Sequence, residues 1–354
     1  MGRAIARAFG KQGAKVGLIA RDPHRLAATK QEIEAMGGHG LILVADVAKP
    51  DQVESAASQV ESHFGPIDIW INNAMATIFA PFDEITPEEF KRATEVTYLG
   101  SVYGSMAALK RMKPRDKGVI VQVGSALAHR SIPLQSAYCG AKHAIVGFTD
   151  SLRSELIHDG SHIHITVVNL PAMNTPQFEW SRSRLPNHPQ PVPPIFQPEL
   201  AADAIVWAAH HHRREVDVGF PTVMATTVQK IAPGLADQYL ARTAYENQQT
   251  PQPVPVERPD NLENPVAGDY AARGSFNSRA HSRSLQFWVN RHRWALGISA
   301  SIAAVGYLAL RRRVGEQQTV SSPETAGLVI PVLAENRNDA SRDKSLGHVK
   351  RMIR

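Results

Sequence analysis

Residues 125–142 read Ser-Ala-Leu-Ala-His-Arg-Ser-Ile-Pro-Leu-Gln-Ser-Ala-Tyr-Cys-Gly-Ala-Lys and follow the apolar run at 119–123. The apolar run is typical of a buried strand, and residues 141–156 predict a helix. Tyr138 and Lys142 are four positions apart, so a helix would place both side chains on one face. The stretch therefore predicts a strand and a helix that bring Ser125, Tyr138 and Lys142 together.

These three side chains suit proton exchange with an alcohol or carbonyl oxygen. An ammonium beside a phenol favours the phenolate, so Lys142 is expected to lower the pKa of Tyr138 from its reference of about 10. A tyrosine tuned in this way acts as a general acid and base near neutral pH. Tyrosine and lysine at this spacing are most often ordinary helix neighbours. The serine thirteen residues before the tyrosine strengthens the catalytic interpretation.

Apolar runs alternate with amphipathic stretches over the first 220 residues. Strands are predicted at 15–20, 41–46, 67–71, 119–123, 163–170 and 216–220, and helices at 1–13, 22–36, 49–64, 86–112, 141–156 and 198–211. This alternation predicts an α/β fold with a doubly wound parallel sheet that is covered by helices on both faces.

Composition narrows the class of protein. The single cysteine, Cys139, excludes an internal disulfide and suits a reducing compartment. The net charge of +6 comes mainly from the last third of the chain, and no nucleic-acid-binding motif accompanies it, so nucleic acid is not an expected partner. The three consecutive histidines at 210–212 diverge on a helix, so no metal site is predicted.

Residues 1–220 resemble the short-chain dehydrogenase/reductase family, because they combine this serine, tyrosine and lysine with alternating strands and helices. The resemblance implies a Rossmann domain, placed at 1–245, that transfers hydride between an alcohol/carbonyl pair and a nicotinamide cofactor. It implies Tyr138 as general acid and base, Lys142 as the group that holds the nicotinamide ribose, and Ser125 as the substrate-binding hydroxyl. Thr97 stands where many members carry an asparagine that holds a water for the proton relay, so an altered relay is expected.

The resemblance also implies cofactor contacts. Arg21 follows the second strand of the family pattern, where an arginine pairs with the 2′-phosphate of NADP, so NADP(H) is expected over NAD(H). Met75 and Ala172 stand where the family usually has glycine. The remaining implied cofactor positions are Gly2, Asp46, Val47, Asn73, Ala74, Tyr138, Lys142, Pro171 and Thr175.

The first six residues resemble the end of the family's glycine-rich motif, with Gly2 as its last glycine. The family's first strand and its other two glycines do not precede it. Since that strand lies at the centre of a doubly wound sheet, the sheet is expected to be divided there. Two explanations stay open: a start codon assigned too far downstream, which the matching downstream sites favour, or a genuine fragment.

Composition changes after Tyr245. Residues 246–290 are rich in Pro, Asn, Gln, Asp and Arg, which predicts a disordered linker. Residues 294–310 carry no charge and lie between arginine clusters, so an apolar helix at 291–313 is expected to span or bind a membrane, although a packed helix remains the alternative. A polar tail is predicted at 314–354, and the catalytic domain is expected in the cytoplasm.

The sequence thus favours an NADP(H)-dependent oxidoreductase that acts on a small, apolar alcohol or carbonyl compound. A homo-oligomer is expected because the family commonly pairs through two long helices. The alternative is a non-catalytic Rossmann module, tethered to a membrane, that senses nucleotide or binds partners. The incomplete glycine motif and Thr97 favour that alternative, whereas Ser125, Tyr138 and Lys142 favour the enzyme.

Overall fold

The computed structural model describes residues 1–255 and 258–319, so most of the predicted polar tail lies outside the described residues. The chain divides into two units, Met1–Arg293 and Trp294–Arg354. The helices are α1 (Gly2–Gly10), α2 (Pro23–Ala35), α3 (Pro50–Phe64), α4 (Pro87–Thr94), α5 (Gly100–Met112), α6 (Ser136–His158), α7 (Gln177–Trp180), α8 (Pro198–Ala209), α9 (Phe220–Ile231), α10 (Pro233–Asn247) and α11 (Leu285–Thr319). The strands are β1 (Lys15–Ala20), β2 (His39–Val44), β3 (Ile69–Asn72), β4 (Ile78–Phe79), β5 (Val119–Val123), β6 (His164–Asn169), β7 (Arg182–Ser183), β8 (Asn187–Pro189), β9 (Ile195–Phe196), β10 (Glu215–Asp217), β11 (Gln249–Pro253) and β12 (Ala280–His281).

The main sheet is parallel and has the strand order β10-β6-β5-β3. Its central strands are apolar and almost fully buried, as Ile120 on β5 and Val167 on β6 illustrate. Such strands need helices on both faces, which confirms the predicted α/β class. β1 and β2 pair in parallel only with each other among the described strands, so the sheet is divided, as predicted from the sequence.

The helix predicted at 86–112 is interrupted. Thr86 and Glu89 form a reciprocal capping box that begins α4, but residues Glu95–Leu99 form a π-helical turn before α5. Within this turn, the Thr97 hydroxyl accepts a hydrogen bond from the Ala76 amide at 2.9 Å and donates to its carbonyl at 3.0 Å. π-Helical turns occur mostly as such insertions, often beside functional sites. This long-range contact has no local signal in the sequence.

Residues 246–255 and 258–290 contain strands and buried side chains that pack on the domain, which contradicts the disordered linker predicted there. Residues 258–284, here called the strap, place Leu262 at 0 % exposure among side chains that include Ala93 and Val96. β12 of the strap pairs with β9, and Phe276 packs on Phe178. A few apolar side chains, spaced along the strap, anchor it to the domain. The average composition of the segment is polar, so it does not reveal them.

Residues Leu285–Thr319 form the helix α11. Within the described parts of the chain, no helix combines the length and the hydropathy that crossing a bilayer requires. The span predicted at 291–313 is thus not found among the described residues, and attachment of this segment to a membrane stays a prediction. Alanine, glycine and serine supply much of the uncharged run at 294–310, which keeps its hydropathy modest.

Candidate active site

Ser125, Tyr138 and Lys142 are positioned by β5 and α6. Ser125 follows β5 in an extended conformation, and its Oγ accepts a hydrogen bond from the Leu127 amide at 3.1 Å. α6 begins at Ser136, earlier than predicted, so Tyr138 and Lys142 both lie on its first turns. Lys142 is only 3 % exposed. A strand end and a helix start thus bring a hydroxyl, a phenol and an ammonium to the same region.

The electrostatics of Tyr138 differ from the sequence-based expectation. Burial raises the pKa of Tyr138 to about 12, and a hydrogen bond with Ser125 acts in the opposite direction. Burial lowers the pKa of Lys142 to about 8. The Lys142 Nζ donates to the Val123 carbonyl at 2.6 Å and lies 5.6 Å from the centroid of the Tyr138 ring. The net pKa of Tyr138 is thus raised rather than lowered in this geometry, because burial dominates and the Lys142 ammonium bonds to main chain instead of the phenol, so the phenol is protonated near neutral pH.

A single cavity of about 1800 Å³ joins the positions that the sequence assigned to substrate and cofactor. Its lining includes Gly2, Arg21, Asp46, Val47, Asn73, Ala74, Ser125, Tyr138, Lys142, Pro171 and Thr175. Thr97 does not line it, since its side chain is fully buried and bonded to Ala76. A role of Thr97 in a proton relay stays a prediction. What the structure shows is its pair of hydrogen bonds with Ala76, in the chain after β3.

The N-terminus of α1 meets the chain after β3 closely. A Cβ added at Gly2 would lie 3.0 Å from the Asn73 Nδ2, so the absence of a side chain permits the approach. Helix N-termini favour phosphate groups because their amide hydrogens are unpaired. Together with a hydroxyl-rich and arginine-containing lining, this arrangement fits a nicotinamide dinucleotide.

Asn72 and Asn73 are adjacent in the sequence, which does not show that their roles differ. The structure gives Asn72 a structural role. The Asn72 Oδ1 accepts from the Trp70 indole at 2.8 Å, and its Nδ2 donates to the Ser105 hydroxyl at 3.0 Å. The side chain fits because a Cβ at Gly104 would lie only 2.1 Å from the Asn72 Oδ1. Asn72 therefore fastens β3 to α5.

The strap covers the arginine that the sequence placed at the adenosine 2′-phosphate. The Arg21 guanidinium donates to the carbonyl oxygens of Asn261 and Glu263 at 2.5 and 2.6 Å. Burial and the neighbouring charge of Arg92 lower the pKa of Arg21. Arg92 itself pairs with Asp46 at 2.6 Å and donates to the Leu262 carbonyl at 3.1 Å. Sequence reasoning missed Arg92 because its partners lie far from it in the chain.

The strap also holds the segment at 171–175, which contains two of the implied cofactor positions, Pro171 and Thr175. Asn174 is fully buried, and its Oδ1 accepts from the Phe276 amide at 3.0 Å. Its Nδ2 donates to Gln197 and Asn277 at 3.1 and 3.0 Å. The neighbouring Thr175 is 6 % exposed. The strap therefore contacts both ends of the region assigned to the cofactor.

A model of the short chain dehydrogenase family matches residues 1–185. The chain belongs to this family of NAD(P)-dependent oxidoreductases. The oxidoreductase YxnA of Bacillus subtilis is 31% identical over 255 residues, which are 72% of each chain. A 3-dehydrosphinganine reductase of Danio rerio is 33% identical over 58% of this chain and 64% of its own length. Against the 3-ketodihydrosphingosine reductase of Bos taurus, at 32% identity, the chain spans 54% of that relative's length.

Solved structures agree with this assignment. A 3-ketoacyl-ACP reductase from Sinorhizobium meliloti 1021 is 26% identical, with a TM-score of 0.54, over 63% of this chain and 94% of its own. A short-chain dehydrogenase from Streptomyces avermitilis has a TM-score of 0.56 at 23% identity, over 68% of this chain and 94% of its own, which shows the fold alone.

Proposed function

We propose that this short-chain dehydrogenase interconverts an alcohol and a carbonyl compound with NADP(H), using Tyr138 as general acid and base. The observation that carries the proposal is that Ser125, Tyr138 and Lys142 line one cavity together with the residues assigned to the cofactor. The substrate is a small molecule, and a cytoplasmic location would supply NADPH.

Each side chain has a separate task in carbonyl reduction. The Tyr138 hydroxyl, protonated at neutral pH because its pKa is about 12, donates its proton to the carbonyl oxygen. The Ser125 hydroxyl donates a hydrogen bond to the same oxygen and stabilises its developing charge. The Lys142 ammonium, which in this structure donates to the Val123 carbonyl, turns towards the phenolate that remains and stabilises it. The nicotinamide cofactor supplies the hydride when bound, held by residues that include Gly2, Asn73 and Thr175.

Preference for NADP(H) over NAD(H) rests on Arg21. The carbonyls of Asn261 and Glu263 occupy its donors, but they are neutral acceptors. A phosphate carries a full negative charge and attracts a guanidinium more strongly than a neutral carbonyl does, so a 2′-phosphate would replace them as the preferred partner. The strap would then shift at residues 261–263.

A homo-oligomer is part of the proposal. Among the helices that the family uses for pairing, α5 exposes Met106 and α6 exposes Ile157, at 64 % and 72 %. Large apolar side chains of this kind are candidates for burial between subunits. Sedimentation equilibrium of the full chain would give the subunit number.

The decisive test is Tyr138→Phe. Loss of the hydroxyl should abolish turnover of carbonyl compounds while nicotinamide binding, followed by cofactor fluorescence, stays within about threefold. Tyr245→Phe, a change of the same size at an exposed site outside the cavity, is the matched control. Near-full activity of Tyr138→Phe would refute the proposed role.

A second candidate function is a nucleotide-sensing module without turnover. The observation that favours it is the strap, whose main chain already satisfies Arg21. Cofactor binding without turnover of any carbonyl or alcohol, in the parent as well as in Tyr138→Phe, would favour this candidate.

A further inference from the structure

The two helices after the last strand of the main sheet, α9 and α10, form a helical pair joined at Ala232 and here called the hairpin. Most of the hairpin's large apolar side chains are exposed, including Met224 at 50 %, Leu235 at 70 % and Tyr239 at 64 %. These three side chains line the cavity that also contains Ser125 and Tyr138. The exposed apolar surface of the hairpin is therefore continuous with the candidate active site.

Polar contacts hold the hairpin in place. Arg130, which lies in the chain between Ser125 and Tyr138, donates to Gln229 of α9 at 2.7 Å and to Asp237 of α10 at 2.5 Å. The guanidinium thus bridges the two helices from the loop that connects the catalytic residues. These contacts and one to the Pro233 carbonyl occupy both amino groups of Arg130, whereas its buried Nε has no hydrogen-bond partner among the described residues.

A second buried contact fixes the end of the hairpin. Gln248 directly follows α10 and is fully buried. Its Nε2 donates to the Pro133 carbonyl at 3.0 Å, and its Oε1 accepts from the Gln135 Nε2 at 2.7 Å. Pro133 and Gln135 belong to the same catalytic loop. The hairpin is therefore fastened by polar groups, which leaves its apolar side chains to face the cavity and solvent.

The chemistry of this surface is uniformly neutral. Among the described residues between 220 and 247, those that line the cavity are alanine, valine, leucine, methionine, proline, threonine, tyrosine and asparagine, without a charged side chain. Met224 and Val228 are four apart on α9, and Leu235 and Tyr239 are four apart on α10, so each pair forms a continuous stripe. Such stripes suit an extended aliphatic chain, which needs contact along its length and no polar partner.

We propose that the hairpin binds the aliphatic chain of the substrate, and that the substrate class is long-chain aliphatic ketones and the corresponding secondary alcohols. The inference rests on the proposed function, since it places the reacting carbon at Tyr138. The chain extends from there over Met224, Leu235 and Tyr239. Transfer of each methylene from water to this surface strengthens binding about threefold to fourfold.

The test uses the full chain with NADPH and a series of 2-alkanones from four to twelve carbons. KM should fall by about threefold for each methylene that reaches the hairpin, while kcat changes little because the reacting group is the same. Leu235→Ser and Met224→Ser should raise KM for the long ketones by about tenfold or more and leave the short ketones unaffected. Ile231→Ser is the matched control, because Ile231 is 78 % exposed on the same hairpin but does not line the cavity.

A binding measurement separates this inference from the catalytic proposal. Titration calorimetry of the Tyr138→Phe chain with 2-dodecanone should show binding that Leu235→Ser weakens and Ile231→Ser does not. A KM independent of chain length, with turnover intact, would overturn the inference and leave the catalytic proposal standing. If the parent chain turns over no ketone, binding that depends on Leu235 would support the chain-binding surface and overturn the catalytic proposal. Leu235→Ser that alters only the oligomeric state would overturn the inference and assign the surface to contacts between copies.

Discussion

The Arg21 guanidinium donates to the carbonyl of Asn261, 240 positions further along the chain, at 2.5 Å. This contact joins the end of β1, where the family resemblance places the adenosine ribose, to the strap. Under the proposed role of Arg21, cofactor affinity and strap position are coupled through this one side chain.

Replacing Arg21 tests both its cofactor role and this coupling. Arg21→Ala should narrow the preference for NADPH over NADH by more than tenfold, because a charge-assisted contact with phosphate contributes roughly 1.5–3 kcal/mol. The measurement is the dissociation constant of each cofactor by fluorescence titration. Arg214→Ala removes an exposed arginine outside the cavity and should leave the ratio unchanged. Equal affinities for NADPH and NADH in the parent chain would count against the role of Arg21.

Burial of the strap should be measurable as stability. Leu262 is fully buried, so Leu262→Ala should lower the free energy of unfolding by about 2–5 kcal/mol through lost burial and a residual cavity. Urea denaturation followed by circular dichroism gives the value. Leu285→Ala makes the same change at a side chain that is 77 % exposed and should alter stability by less than about 0.5 kcal/mol. Equal effects of the two substitutions would show that the strap is not packed in solution.

Local patterns in the sequence predicted the parts of the molecule that local physics determines. The apolar run at 119–123 became β5, and the tyrosine–lysine spacing placed both side chains on α6. The helix predicted to begin at residue 22 is capped by Asp22, whose side chain accepts from the His24 and Arg25 amides. The positions matched to the family, apart from Thr97, line one cavity.

Features that depend on distant partners were not predictable in this way. The composition of the strap is typical of a polar linker, and only the folded structure shows that Leu262 and Phe276 pack in buried hydrophobic clusters. Thr97 bonds to Ala76 across the fold, and no pattern around either residue signals that contact. The pKa of Tyr138 was misjudged because burial, which the sequence does not display, raises it, and because the neighbouring lysine bonds to main chain. The sequence did not predict the hairpin as a separate feature, because its apolar stripes are exposed and do not pack into the core of the domain.

The pH dependence of carbonyl reduction should report Lys142. Its pKa is lowered to about 8 by burial, so it is charged below that pH and loses its charge as the pH rises through 8. Tyr138, with a pKa of about 12, keeps its proton over this range. Since the ammonium stabilises the phenolate formed when Tyr138 donates its proton, kcat/KM should be level from about pH 6 to 7 and fall above about pH 8.

Substitution of the lysine distinguishes this cause from others. Lys142→Arg keeps a positive charge at every accessible pH, so whatever activity it retains should show no fall near pH 8. Lys110→Arg makes the same change at a side chain that is 69 % exposed and should reproduce the parent profile. Initial rates at low substrate concentration between pH 6 and 10 give the three profiles. If kcat/KM of Lys142→Arg still falls near pH 8, the titrating group is another residue, and Lys142 does not take part in the proton transfer.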